Sequence, residues 1–337
     1  MSLYFYFLRR LLILFPILIG ISLVVFILLR LVPGEPASMI AGPYADEAGI
    51  ARVAESLGLH LPIHEQYFIF LRNAITGDLG ISWRSGRPVF WELGRRLPAS
   101  LELTGLSMML AIFFGVPLGI SAAVRKGTWV DSFCRLISVG AVSTPVFWSG
   151  AILIFFFFFI LGWAPPPLGR IGAGIDPPEY ITGLFLIDSL LTLNFEAFFA
   201  SVRQIILPAI TLGFAMSGPI IRMTRSSMLE ILGSNFIRTA QSLGINNRKI
   251  LYNDALKNAI LPVITAIGIS LGYSLGGVVL MEVIFAWPGL GSYAFNAIIN
   301  MDHNAVQGFV LLMAVAYVLI NLIVDILYAM IDPRITF

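Results

Sequence analysis

The stretch Leu11–Leu29, LLILFPILIGISLVVFILL, holds no charged residue over nineteen positions, and sixteen of these are Leu, Ile, Val or Phe. About 20 helical residues cross the roughly 30 Å hydrocarbon core of a bilayer. Each such apolar residue favours insertion by about 0.3–0.6 kcal/mol at a helix centre. A cleaved signal peptide is the competing interpretation, because Arg9 and Arg10 precede the stretch. Its length, and the segment 30–34 in place of a small-x-small cleavage site, favour a retained membrane anchor.

Composition extends this conclusion to the whole chain. Of its 337 residues, 58% are hydrophobic and 12% are charged, whereas soluble domains carry about 25% charged residues. The charge is too low to cover a water-facing surface of this size. The single cysteine, Cys134, excludes an intrachain disulfide and a cysteine-cluster metal site.

Five further apolar segments are candidate membrane spans. The longest of them contains Pro145, so we expect a kinked or tilted helix there, whose freed backbone groups neighbouring helices can satisfy. The sequence therefore predicts an all-α polytopic membrane protein with six transmembrane helices. The five segments cover residues 101–124, 132–162, 205–223, 261–286 and 308–331.

Six spans place both termini on one side, and the charges indicate which side. The loop 222–262 carries six basic residues against two acidic ones, and the positive-inside rule makes that side cytoplasmic. We then expect Trp163 and Trp287 at the outer interface and Trp129 at the inner one. The chain divides into a first transmembrane helix (1–31), an outer cap segment (32–99) and a five-helix core (100–337).

Two outer segments show helical signals. In the cap, Asp46–Leu57 predicts a helix that ends at Gly58, and helical spacing of apolar residues runs from Pro62 to Gly77. The stretch Ile181–Leu193 predicts a re-entrant or interfacial helix. A seventh span is the alternative there, disfavoured by an internal acid and by the even number of spans that the charges demand.

Several kinds of chemistry are missing from the sequence. No Gly-Lys dipeptide occurs, which excludes a P-loop and ATP hydrolysis by that route. All three histidines lie in predicted outer segments, and Pro62 between His60 and His64 breaks the helical register that a metal pair needs. We expect no catalytic residue, bound cofactor, metal or nucleic acid in this chain.

The residues of the cytoplasmic loop 222–262 predict ordered helices and not merely a solvated basic loop. Phe236–Leu243 predicts a short helix with Gly244 as its left-handed C-terminal cap, and Asn246 predicts the N-cap of a second helix that reaches toward Asn258. Two short helices at an angle would form a compact knob that projects from the membrane.

Part of this loop resembles a motif of a known protein family. The run Arg238–Gly244, RTAQSLG, followed by Ile260-Leu261-Pro262, resembles the EAA loop of permease subunits of binding-protein-dependent ABC importers. That motif has a Glu-Ala-Ala core, a glycine four residues after the second alanine and a late Ile-x-Leu-Pro. Arg-Thr-Ala in place of the core is typical of the dipeptide/oligopeptide branch.

Other segments resemble landmarks of the same branch, in the same order and over nearly the full chain. They are Arg9-Arg10 with 31–36, Gly77–Gly80 with Ser82, Arg96–Leu103, Trp287–Gly291 and Asp332–Ile335.

The resemblance implies a type I ABC importer permease in the inner membrane of a bacterium, with a periplasmic cap (32–99) and cytoplasmic termini. It implies a second homologous permease, two ATP-binding subunits that hold ATP and Mg, and an extracytoplasmic substrate-binding protein as partners. The loop would be a coupling helix seated on an ATPase subunit. The coupling residues would be Arg238, Thr239, Ala240, Ser242, Leu243, Gly244, Leu261 and Pro262.

Polar residues on the spans are candidates for the pathway or its gates, although Ser and Thr in membrane helices often bond locally or join helices. For Glu282 the alternative is a structural ion pair. The glycines from Gly268 to Gly277 have the spacing for close helix packing, against this chain or a partner permease. The pathway candidates are Ser143, Thr144, Ser217, Ser270, Ser274 and Glu282.

Two other functional classes remain as alternatives. A stand-alone ion-coupled secondary transporter or channel would show midplane acids and inverted repeats, and neither is clear in this sequence. A membrane-embedded enzyme is disfavoured because no nucleophile and base form a pair. Di- and oligopeptides are the favoured cargo of the branch, and nickel chelates, glutathione and other small solutes remain alternatives.

Overall fold

The computed structural model describes residues 3–31, 36–42, 44–56 and 58–331. Regular structure in this part of the chain is helical, apart from one isolated antiparallel bridge between Ile81 and Pro88, which confirms the all-α prediction. The helices are α1 Leu3–Leu31, α2 Pro36–Ala41, α3 Glu47–Ser56, α4 Ile63–Ile75, α5 Val89–Val124, α6 Trp129–Ser143, α7 Val146–Ile154, α8 Phe185–Leu191, α9 Phe195–Leu232, α10 Asn235–Ser242, α11 Asn247–Lys249, α12 Leu256–Ile284, α13 Leu290–Ile299 and α14 His303–Ile331, with π-helical segments at Phe155–Ile160 and Ile250–Ala255.

The long helices have the length and apolarity of membrane spans. Among the described residues, four helical stretches qualify, in α5, in α9, in α12 with the segment before it, and in α14. The pair α6–α7 makes a fifth if it counts as one span, and α1 covers the predicted first span over 29 residues. The count of six and the side of the termini stay predictions.

The third predicted span is broken, not merely kinked or tilted. α6 and the helix that follows it meet at an angle of 100°. Pro145 disfavours the helical region for the residue before it, and Thr144 accordingly takes φ −90° and ψ 123°. Pro145 then precedes the first residue of α7.

The helices of the cap segment lie where the sequence predicts them. α3 ends just before Gly58, which has φ +67°, and α4 is followed by Gly77 with φ +82°. Leu57 and the resemblance segments 32–35 and 332–335 fall outside the described residues.

The alternative interpretation of Ile181–Leu193, a seventh span, is wrong. Within Ile181–Leu193 only the seven residues of α8 are helical, which is roughly 10 Å of helix. Asp188 accepts hydrogen bonds from the backbone N–H groups of Thr182 and Gly183 at 2.8 Å each, which closes a turn before the helix. At the other end, Leu193 takes φ 54°.

The chain forms two compact units. Of the described residues, the first unit comprises those within 3–97 and 292–319, and the second comprises those within 98–291 and 320–331. In the first unit α1 packs on α4, and Phe26, 1% exposed, lies 5.3 Å from the ring of Tyr67 and 5.8 Å from that of Phe70. In the second unit α9 is the central helix, in contact with α6, α7, α8 and α12.

Trp287 is a core residue of the second unit, so its predicted place in an outer aromatic belt is wrong. Its side chain is 1% exposed, and its Nε1 donates to the carbonyl of Ala99 at 2.8 Å. Burial of the ring is possible because the N–H has this partner. Trp129 and Trp163 are 77% and 75% exposed, as a belt requires.

Candidate functional site

The segment Asn235–Gly244, hereafter the elbow, follows α9 directly. α9 ends at Leu232, α10 begins at Asn235, and Gly244 reverses the chain with φ +72°. The backbone N–H of Ile245 donates to the carbonyl of Ala240 at 3.2 Å and closes the turn. The predicted short helix and its left-handed glycine cap are therefore confirmed.

Position 244 requires glycine because of its backbone conformation, and not because space for a side chain is lacking. A Cβ atom built on it meets nothing within 4 Å. Positive φ costs an L-residue roughly 1–2 kcal/mol, and β-branched side chains tolerate it least. A larger side chain therefore has space at this turn, but the positive φ would strain its backbone.

One side chain anchors the elbow to the second unit. Ile237 is fully buried and packs in a cluster with Met228 of α9 and with Ile250, Ala255 and Ala259 on the far side of the loop. Ile237 is the buried residue of α10. The elbow is thus fixed to the helices on both sides of it.

Ala240 packs inward against the same cluster and is half-buried. In the structure its small side chain lets α10 lie close to its own chain.

The opposite face of the elbow is exposed. Leu243 is 74% exposed and Phe236 is 46% exposed, and Arg238, Thr239 and Ser242 are exposed beside them. The hydroxyls of Thr239 and Ser242 donate to backbone carbonyls within α10, so both are already hydrogen-bonded. Large exposed apolar side chains flanked by polar ones are typical of a docking surface.

The second predicted short helix is wrong in extent. Asn246 caps it as predicted, accepting from the N–H of Arg248 at 2.8 Å. However, α11, the π-helical segment and α12 then run on without a break to Ile284. Leu261, half-buried, and Pro262, exposed, consequently lie inside α12 and do not close the loop.

A buried ion pair that the sequence reasoning missed lies on α6 and the last turns of α9. Asp131, 2% exposed, receives Nε and Nη2 of Arg225 at 2.6 and 2.8 Å. The N–H of Gly127 adds a third bond at 3.1 Å. In the sequence, Arg225 is only one of the six basic residues of the loop 222–262 that indicate the cytoplasmic side. The available signal was an acid in the first turn of an apolar helix.

The pathway candidates on the spans bond mostly to their own helices. Thr144 donates to the carbonyl of Gly140 at 2.7 Å, beside exposed Ser143. Ser217 and Ser274 likewise donate to carbonyls three residues earlier. Ser270 differs, because its buried hydroxyl has no hydrogen-bond partner in the described part of the chain. The pathway role of these serine and threonine candidates stays a prediction.

Glu282 lies at the turn 286–290 and is fully buried. The hydroxyl of Ser100 donates to Glu282 Oε1 and accepts from the N–H of Leu290 at 2.8 Å. A Cβ atom on Gly289 would lie 2.1 Å from the same carboxylate oxygen. This carboxylate therefore fixes the turn to α5. Its role as a gate stays a prediction.

The connection 163–193 is held by a second buried ion pair that the sequence reasoning missed. Arg170 and Glu102 are 7% and 9% exposed and form a salt bridge. Glu102 also accepts from the N–H of Leu186 at 2.7 Å, and Arg170 donates to the carbonyl of Gly183 at 2.8 Å. Both charges are thus paired and hydrogen-bonded.

The glycines of α12 divide between inner packing and an open surface. A Cβ on Gly268 would lie 2.5 Å from Val324, whereas one on Gly276 would meet nothing within 4 Å. No cluster of three or more possible metal-ligating His, Cys, Asp or Glu residues occurs in the described ranges.

Comparison with known proteins gives two matches to family models. Residues 115–337 match "Binding-protein-dependent transport system inner membrane component". Residues 3–104 match the model of the N-terminal part of such membrane components. The two matches together cover nearly the whole chain.

Curated relatives align over almost their full lengths. A probable D,D-dipeptide transport system permease protein, DdpB, from Escherichia coli K12 is 42% identical over 94% of this chain and 93% of its own. The dipeptide transport system permease protein DppB of Alkalihalophilus pseudofirmus is 42% identical over 98% and 99%. The glutathione transport system permease protein GsiC of Escherichia coli O6:H1 is 36% identical over the same shares.

Among solved structures, the chain resembles one from the MetNI methionine ABC transporter in inward-facing conformations. The TM-score is 0.55 at 18% identity, over 72% of this chain and 97% of that one. This likeness concerns the fold alone.

Proposed function

Because the chain belongs to the family of inner membrane components of binding-protein-dependent transport systems, we propose that it forms half of the translocation pathway of an ATP-driven importer of dipeptides. Relatives at 42% identity are named for dipeptide or D,D-dipeptide transport. A relative named for glutathione extends the range to other small peptides.

The elbow is the site through which ATP acts on this chain. The observation that carries this proposal is its two-sided construction. Ile237 is fully buried and binds the elbow to its own unit, while Leu243 is 74% exposed beside Arg238. A separate subunit that holds ATP and Mg would bury that exposed face.

Displacement of the elbow would reach the membrane through the helices on both sides of it. α9 precedes it by two residues, and the helical run from Asn247 to Ile284 follows it. The ion pair of Asp131 with Arg225 ties the end of α9 to α6. Closure of two ATP-binding subunits would thus move several spans together.

Three kinds of partner complete the assembly: a second homologous permease, two ATP-binding subunits and an extracytoplasmic substrate-binding protein. The open surface at Gly276 on α12 suits close contact with a second permease. The alternative class, an ion-coupled secondary transporter, needs none of these partners.

Purification of the tagged chain from its native membrane tests the proposal. We expect two ATP-binding chains and a second permease to copurify. In proteoliposomes, that complex with its binding protein should accumulate labelled dipeptides only when ATP is supplied. Uptake by this chain alone, driven by a proton or sodium gradient, would contradict the proposal and favour the alternative class.

A further inference from the structure

A polar pocket of about 300 Å³ lies inside the first unit. Its walls come from the start of α5, from α13, and from the loops that precede α5 and α14. This volume is at the lower end of the range for small-molecule sites. Neither the elbow nor the pathway candidates contribute to it. The lining groups that matter below are Arg84, Glu92, Arg96, Tyr293, Asn296 and Asp302.

One side of the pocket contains a hydroxyl without a well-formed hydrogen bond. Tyr293 is 6% exposed, and its hydroxyl lies near the Glu92 carboxylate but makes no hydrogen bond of normal geometry in the part of the chain that the structure describes. A buried polar group left in this state is costly, and native proteins rarely keep one. Its place in a pocket wall indicates that a ligand supplies the missing partner.

The nearest acid to this hydroxyl is Glu92, which is 7% exposed. The pKa of Tyr293 is raised, first by burial, then by the negative charges of Glu92 and Asp302, and also by the closeness of its hydroxyl to the Glu92 carboxylate. No Lys, Arg or His in the described ranges forms an ion pair with Glu92. A buried carboxylate normally has such a partner, so the pocket can accept a positive group here.

The other acid of the pocket is already satisfied. Asp302 accepts from the hydroxyl of Ser82 at 2.6 Å and from the N–H of Ala305 at 3.1 Å, where it caps α14. Asp302 therefore has a structural role, whereas the Glu92 carboxylate remains available to a ligand.

Two guanidinium groups complete the pocket. Arg84 is exposed and donates from Nη1 to the side chain of Asn296 at 3.1 Å, which leaves further N–H donors. The guanidinium of Arg96 lies 5.0 Å from the ring centre of Tyr293. A small cavity that holds both a carboxylate and guanidinium groups suits a ligand that has no net charge but carries one positive and one negative group.

We propose that this pocket binds the charged ends of a free dipeptide, with the ammonium group against Glu92 and Tyr293 and the carboxylate against Arg84 and Arg96. The choice of ligand rests on the proposed function, which supplies the substrate class. The pocket then gives the permease a binding step of its own, separate from the selection made by its binding protein.

The test pairs a change in the protein with a change in the ligand. Binding of a radiolabelled dipeptide is measured on the assembled permease complex in nanodiscs, without the binding protein. Glu92→Gln should weaken binding by about ten- to a hundredfold. An N-acetylated dipeptide should bind weakly to both forms, since it lacks the group that Glu92 holds. Glu65→Gln, an exposed acid on α4 of the same unit, should change neither affinity.

Tyr293→Phe provides a second variant that does not alter charge. It removes only a buried hydroxyl that lacks a well-formed hydrogen bond, so the complex should keep or raise its melting temperature while losing dipeptide affinity. This result is expected even if Glu92→Gln fails to assemble.

Three results would overturn the proposal. One is equal affinity for the free and N-acetylated dipeptides. Another is normal ATP-driven uptake by a wild-type complex that shows no direct dipeptide binding. In the third, both variants weaken attachment of the binding protein but not of the dipeptide, and the pocket is then a protein contact. Uptake in the same preparation reports separately on the proposed function, which fails if wild-type complex accumulates no dipeptide at all.

Discussion

The elbow and the connection 163–193 both lie between long helices, but the charged side chains of the two segments have opposite environments. In the connection, Arg170 is paired with Glu102, and Asp188 accepts three backbone hydrogen bonds. In the elbow, Leu243 and Arg238 are exposed. The buried charges of the connection are satisfied within its own unit, whereas we propose that another subunit covers the exposed face of the elbow.

The left-handed glycines of the two segments differ in the same sense. Gly183 and Gly244 have φ +82° and +72°. A Cβ on Gly183 would lie 2.8 Å from Pro98, whereas a Cβ on Gly244 meets nothing within 4 Å. The glycine of the connection is enclosed by its neighbours, and that of the elbow has open space around it.

The largest effect is expected from Gly244→Val, which forces a β-branched residue into a left-handed turn. We expect ATP-driven uptake to fall to background while membrane insertion and the melting temperature of the permease stay near wild type. Gly244→Asn, which tolerates positive φ, should keep most of the uptake. Near-normal uptake by stably assembled Gly244→Val would exclude coupling through this turn.

The connection should respond through stability. Glu102→Ala leaves the Arg170 guanidinium buried without its partner, which we expect to cost about 3–5 kcal/mol of unfolding free energy. Thermal denaturation of the purified permease measures the loss. The double variant Glu102→Leu/Arg170→Met should recover much of it. If the single variant melts like wild type, the pair does not hold the connection in place.

A smaller effect is expected from Leu243→Ser on the elbow. The side chain is 74% exposed, so stability should change little, but affinity for the ATP-binding subunit should fall about tenfold. Leu193→Ser is the matched control, because Leu193 is 72% exposed at the end of the connection. Equal loss of affinity in both variants would remove the distinction between the two segments.

The smallest effect concerns pH. Burial alone would raise the pKa of Asp188, but hydrogen bonds from the side chain of Thr182 and from three backbone N–H groups lower it overall. The stabilisation by this carboxylate is then complete above about pH 4 and is lost as the pH falls through the lowered pKa. Asp188→Asn should flatten the acid limb of the melting-temperature profile. An unchanged profile would show that Asp188 does not contribute to it.

The sequence predicted local features well where a single residue type determines the backbone. Gly58, Gly77 and Gly244 all end helices with positive φ, as expected. Asn246 caps its helix for a similarly local reason.

Predictions failed where distant packing decides the outcome. Trp287 is buried because the carbonyl of Ala99 accepts its N–H, and no local pattern reveals that partner. The fifth span extends back to the elbow because a π-helical segment continues the helix through Ile250–Ala255. The ion pairs of Asp131 and Glu102 join residues 94 and 68 positions apart.

The central claim, that another subunit covers the exposed face of the elbow, is tested most directly by the reactivity of a thiol placed there. Leu243→Cys is suitable because the native Cys134 is buried. Its maleimide labelling should be fast in the isolated permease and at least about tenfold slower once the ATP-binding subunits are present, whereas labelling of Lys126→Cys, in another exposed predicted cytoplasmic loop, should not change. Equally fast labelling at position 243 in a fully assembled, transport-active complex would contradict the claim.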